Sequence, residues 1–130
     1  MTEEQIMKPE CIVYKIFLSK HPTDDNLEIG QVGPYQLVVG KHYRGGQLGF
    51  HVPEGAHIPD KLLDDMWLRG RLAGKKKNRV KNREMKGVIS DGLFYGEGYY
   101  DENWNWIVTP SWNPNWKSGD NVADEVGIVD

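Results

Sequence analysis

The sequence of 130 residues predicts an all-β domain built from short strands. Two observations lead there. Four stretches before residue 53 alternate apolar and polar side chains at period two, and Gly, Pro, Asn or Asp punctuates the joints between them. Fifteen glycines and seven prolines spread turn chemistry along the whole chain, which disfavours long helices. The length suits one domain with a modest core.

"ECIVYKIFLSK" places Ile12, Tyr14, Ile16 and Leu18 on one face of a first strand. "HPTDDN" is a turn, and "LEIGQV" follows with Leu27 and Ile29 on one side. Gly33–Pro34 turns the chain into "YQLVVGK", where Tyr35, Leu37 and Val39 point inward. After "YRGGQ", "LGFHVP" puts Leu48, Phe50 and Val52 inward and His51 outward, as a surface histidine. In "IPDKLLDDMWLRG" the spacing changes: Leu62, Leu63, Met66 and Trp67 recur as on a helix of about two to three turns, with Asp60 as N-cap and an end near Gly70. "LAGKKKN" has no apolar period and reads as a mobile loop. "RVKNREMKGV" and "SDGLFYG" read as closing strands. Residues 99–130 hold four of the five tryptophans and only "WIVT" as a recognisable strand, so the chain divides into a β domain over 1–98 and a Trp-rich extension over 99–130. At least half of the extension's tryptophans are expected to pack rather than to face a ligand.

Charge is segregated along the chain. From Arg69 to Lys86 there are nine basic residues and one acid, a balance of +8, whereas the whole chain carries −3 and the remainder therefore −11. Two ways of using such a segment stay open. Charges on an exposed edge strand block edge-to-edge pairing. A row of cations about 6.6 Å apart, as Arg79, Lys81 and Arg83 would be on one face of a strand, follows a phosphate backbone. The second accounts better for nine cations against one acid.

Enzyme chemistry finds little support. His21, His42, His51 and His57 form no metal-binding helix pattern, and Cys11 has no partner cysteine. Asp64 and Asp65 diverge by about 100° on a helix. There is no Gly-rich phosphate loop leading into a helix, so no catalytic residue, metal or cofactor is expected. No apolar run approaches the ~20 residues of a membrane helix. The opening "MTEEQIMKPE" is acidic where a secretory signal is basic and then apolar. With its lone cysteine the chain is expected to be cytoplasmic, with no membrane partner.

Four pieces, in order, resemble one family. "HPTDDNLEIGQV" resembles the "HPNADRLE…V" opening shared by the tRNA-binding domain of aminoacyl-tRNA synthetase accessory proteins and the OB domain preceding the catalytic domain in a group of RNA ligases. "YQLVVGKHYRGGQLGFHVPEGAHIP" is closer to the ligase version. "NRVKNREMKGVISDGL" is similar to an "R…KLRG..S.GL" element of both groups, and "WKSGDNVADEVGI" resembles the ligase linker "GDDVTE.LGI". The resemblance implies an OB-fold, a five-stranded Greek-key barrel, with one short helix and the Trp-rich extension. It implies no adenylylated lysine, because no K-x-D-G motif occurs: Lys86 and Asp91 flank "GVIS" at the wrong spacing. It also puts Lys86 and Ser90 where related domains meet nucleic acid.

A non-catalytic module binding RNA or another single-stranded nucleic acid is the resulting expectation. Its expected site comprises Arg69, Arg71, Lys75, Lys76, Lys77, Arg79, Lys81, Arg83, Lys86 and Ser90, with Tyr95 as a stacking ring. The alternative is a protein-interaction module that docks on a separately encoded catalytic partner or forms a homodimer through the extension.

Overall fold

The computed structural model describes residues 9–130, so most of the acidic opening, read above as unlike a secretory leader, lies outside the described residues. Among them the chain forms ten short strands and two short helices, and every strand pairing is antiparallel.

The first strand of the sequence splits in two at Ile16, giving β1 (Val13–Lys15) and β2 (Phe17–Lys20). The expected face holds for Tyr14, Ile16 and Leu18, and the opposite face is buried as well. Cys11 and Val13 enter one core cluster, while Tyr14, Ile16 and Leu18 join a second. The chain leaves one sheet for another at this point, and the two faces of the segment meet separate apolar partners. β3 (Leu27–Val32) and β4 (Tyr35–Gly40) complete the sheet β2-β3-β4. On β4 the expected face holds, with Leu37 buried and Tyr35 and Val39 packed beside it. On β3 the expected face does not hold: Val32 reaches the core, whereas Leu27 and Ile29 stay half-buried.

β5 (Leu48–Val52) is the middle strand of the sheet β1-β5-β8, where β8 is Leu93–Gly96. Phe50 and Val52 are fully buried, as their alternation predicts. His51 is buried too, which corrects the surface assignment: Tyr35 stacks on the imidazole at 3.8 Å and covers this second face of β5.

α1 (Asp60–Asp65) is shorter than its periodicity suggests. Pro59 is the N-cap and Asp60 the first helical residue; Leu62 and Leu63 are buried. The helix stops at Met66, and Trp67 turns outward. The loop after it is closed, with Ala73 and Arg79 exchanging two backbone hydrogen bonds of 3.0 Å. β6 (Arg83–Met85) and β7 (Val88–Ser90) form a hairpin, and β9 (Gly98–Tyr100) and β10 (Trp106–Val108) another.

The C-terminal third is woven into the core. Trp116, Val122, Ala123 and Ile128 share one cluster with Val13, Phe50, Leu63 and Tyr95. Backbone bonds from Val122 to Cys11 and between Val13 and Asp120 run this segment alongside β1. A second helix, α2 (Ala123–Val126), was not foreseen, because a single turn is too short to display a helical period. Trp112 and Trp116 pack around Phe50, whereas Val108 is exposed and Trp104 is exposed with its ring tilted against Tyr100 at 5.9 Å.

Candidate nucleic-acid interface

The β6–β7 hairpin is tight because its two central residues, Lys86 (φ 55) and Gly87 (φ 88), both take the left-handed conformation that two-residue hairpins favour. His21, fully buried in the "HP" turn, fastens this hairpin to the body. The backbone N–H groups of Thr23 and Asp24 each donate to its Nδ1 at 3.1 Å, which leaves the proton on Nε2. Nε2–H then donates to the Met85 carbonyl at 3.0 Å. Thr23 Oγ1 adds a bond to the Lys86 carbonyl at 3.2 Å. The histidine and threonine of the opening motif are therefore the means by which two distant motifs meet.

Asn82 sets the far end of the hairpin. Its N–H donates to Glu54 Oε2 at 2.6 Å, its Nδ2 to Asp91 Oδ1 at 3.1 Å, and its Oδ1 accepts from the Gly92 N–H at 2.7 Å. Val38 N–H donates to Ser90 Oγ at 3.0 Å, joining β7 to β4.

Between these elements lies an open groove of about 790 Å³. Leu37, Val39, Leu93, Phe94 and Tyr95 contribute its apolar surface. Lys81, Arg83 and Met85 line it from the hairpin side, Tyr99, Tyr100, Asp101 and Glu102 from β9 and the turn beyond, and Trp67 from the end of α1.

The expected site residues fall into three groups. Lys81 and Arg83 line the groove, exposed, on alternate positions around the inward Val80 and Asn82. The uninterrupted strand expected over 79–83 is absent, since only Arg83 belongs to a ladder, but the alternation that puts both cations on one side survives. Arg71, Lys75, Lys76, Lys77, Arg79 and Lys86 are exposed and do not line the groove. Arg69 is engaged: its guanidinium donates twice to the Asp64 carboxylate at 2.9 Å and reaches Asp60 at 3.1 Å. Those hydrogen bonds hold the Asp64 carboxyl below its usual range. Among the described residues the other eight cations of the segment make no ion pair.

Ser90 and Tyr95 line the groove but are buried joints. Tyr95 stacks on Phe50 at 4.9 Å, its hydroxyl donates to Asp65 Oδ2 at 3.0 Å, and the Ser111 N–H donates to it. Neither its ring nor its hydroxyl is free for a ligand. The residue missed by sequence reading is Trp67, whose exposed indole lines the groove. Its helical spacing suggested packing, and no residue signal announces that the helix stops one position earlier.

Two further groups bear on chemistry. Burial pushes the Cys11 thiol up to about 12, so it is no thiolate nucleophile. Among the described residues no three His, Cys, Asp or Glu side chains gather as metal ligands, and no helix is long and apolar enough to cross a membrane. His51 donates Nε2–H to the Asp91 carbonyl at 2.6 Å, and its Nδ1 has no partner among the described residues. Burial lowers its pKa more than the Asp91 contact raises it. The folded state therefore resists protonating His51, while the unfolded chain takes a proton near its ordinary value of about 6.5. Stability from this group is fully present above that value and is lost as pH falls through it towards the folded pKa. Thermal melts should show a lower Tm at pH 5 than at pH 7.5, with a smaller difference in His51→Gln; an equal pH dependence in the variant would remove His51 as the cause.

No protein-family profile matches this chain, and no curated protein matches it in sequence. Solved structures do match in shape. An RNA ligase of Naegleria gruberi with PPi superposes with a TM-score of 0.69 at 18% identity, over 92% of this chain and 34% of the ligase. This chain has the fold of one part of an RNA ligase. An apo mutant of that ligase gives a TM-score of 0.71 at 17% identity over 94% of this chain, and a mutant with ATP and Mn gives 0.69 at 15%. The chain spans about a third of the length of these ligases. The RNA-ligase resemblance carried by four sequence motifs is thus met in three dimensions.

Proposed function

We propose that this chain is a non-catalytic OB-fold module that binds RNA, with Lys81 and Arg83 at the centre of the contact and the remaining cations of residues 69–86 around it. The observation that carries the reading is the pair Lys81 and Arg83, exposed, without acidic partners among the described residues, and lining a groove with apolar surface. Cations bring phosphates to such a surface through counterion release, and the apolar part receives bases. The sheets β1-β5-β8 and β2-β3-β4, joined where the chain bends at Ile16, are taken as the two halves of a Greek-key barrel, with residues 99–130 as an extension packed on it. The lone Cys11 suits a reducing cytoplasm.

Fluorescence polarisation against tRNA, single-stranded RNA and single-stranded DNA at two salt concentrations tests this. With roughly four to six phosphates contacted, log K should fall against log[salt] with a slope of about −3 to −4 for single strands. A slope near zero, or no binding at low salt, would end the proposal.

A second reading has its own observation. Phe17, Trp104 and Val108 are more than half exposed, which suits a module that docks on a catalytic protein partner or on its own copy. Light scattering on Trp104→Ala and Val108→Ser discriminates it: assembly lost in these variants, with RNA binding absent throughout, would favour this reading. Deleting residues 99–130 is unsuitable, because Trp116, Val122 and Ile128 would leave the core.

A further inference from the structure

We infer that Trp67 is the base-stacking platform of the groove, so that the preferred ligand is an unpaired nucleotide stretch with phosphate at Lys81 and Arg83. The inference rests on the RNA reading of the same groove and sharpens it, from nucleic acid in general to single strands.

The local geometry is unusual for a tryptophan. The Leu68 N–H donates to the Leu63 carbonyl at 2.8 Å and the Trp67 N–H to the Asp64 carbonyl at 3.2 Å. This pair of bonds closes a helix end whose following residue is left-handed and ordinarily glycine. Here that residue is Trp67, at φ 60. A bulky side chain is disfavoured in this conformation. Burial does not compensate, since Trp67 is 77% exposed, while its neighbours Met66 and Leu68 are the residues that pack on the core. An indole held in a disfavoured backbone state, open to water and lining a groove, contributes nothing evident to folding, and such outliers gather at binding sites.

The rest of the groove fits one nucleotide unit beside it. Its volume of about 790 Å³ lies within the range of small-molecule sites, roughly 300–1,000 Å³. Three acids also line it. Asp65 accepts from Tyr95 and Ser111, and Asp101 from the N–H groups of Asn103 and Asn105, so both are engaged within the protein. Glu102, in the turn beyond β9, makes no ion pair with Lys81 or Arg83 among the described residues, and its carboxylate suits an exocyclic amine better than a phosphate. Bases within a duplex offer no free face to an indole, whereas single strands do.

The test compares the wild type, Trp67→Gly, Trp67→Phe and the pair Lys81→Glu with Arg83→Glu, against labelled oligoadenylate, oligouridylate and a matched duplex. Trp67→Gly should weaken single-strand binding by roughly 5- to 150-fold, the equivalent of one lost stack, and leave duplex binding unchanged. Its Tm should equal or exceed that of the wild type, and Trp67→Phe should keep most of the affinity. Wild-type affinity in Trp67→Gly together with loss in the Lys81/Arg83 pair would overturn the stacking role and leave the RNA reading standing. Equal losses on single strand and duplex, or a lowered Tm, would also overturn it. No binding by the wild type would overturn both.

Discussion

Changing Lys76, Arg79, Lys81 and Arg83 together to glutamate is expected to abolish RNA binding at low salt. The four reversals take the segment from Arg69 to Lys86 from +8 to zero. Binding by counterion release scales with the number of phosphates neutralised, so removing four contacts and adding four repulsions loses several powers of ten in affinity. The fold should survive, because all four side chains are exposed and make no ion pair among the described residues. Within the set, reversing Lys81 and Arg83 should cost more than reversing Lys75 and Lys76, since only the former line the groove. A gel-shift series reads this directly. Undiminished binding by the quadruple variant, with an unchanged far-UV spectrum, would show that the charge segregation serves something else.

Gly92→Ala is expected to be the most damaging small substitution in the hairpin region. Gly92 sits at φ 76, and an added Cβ would come 2.1 Å from the Val52 carbonyl oxygen and 2.7 Å from His51 Nε2. Two costs combine: a left-handed backbone for alanine, and overpacking against backbone that belongs to a central strand. Together they should destabilise by on the order of 3 kcal/mol or more, a large share of the 5–15 kcal/mol that a domain typically has. Gly87→Ala is the control. It has φ 88 but nothing within 4 Å of its added Cβ, so it should show only the backbone cost of about 1–2 kcal/mol. Urea denaturation separates the two, and equal midpoints would mean that the contact at Val52 relaxes freely.

The contrast between those glycines marks where sequence reading stops. Both occur in "KGVISDGL", where a glycine by itself signals a turn or a close backbone approach. Which one meets backbone is decided by β5, some forty residues earlier in the chain. The same holds for the histidines. The "HP" of residues 21–22 was legible as part of a motif, but the motif's physical purpose, a bond from His21 to Met85, spans 64 positions. His51 alternates away from Phe50 and Val52 and so looked outward; only the packing of Tyr35 over the second face buries it.

For the candidate site, the cations were legible because charge is written directly in composition. Their unequal status was not. Arg69 is engaged by Asp60 and Asp64, the lysine triplet lies on a closed turn away from the groove, and Lys81 and Arg83 line it. The sequence by itself determined the strand-rich class, the turn positions, the segregated charge and the ligase-like motif order, because period, turn chemistry and charge are properties of neighbouring residues. Tertiary structure alone decided which cations share a surface with apolar side chains, that the Trp-rich segment enters the core, and that Trp67 stands open at the end of α1. Those outcomes depend on which distant elements pack together, and no local pattern encodes a partner that lies dozens of residues away.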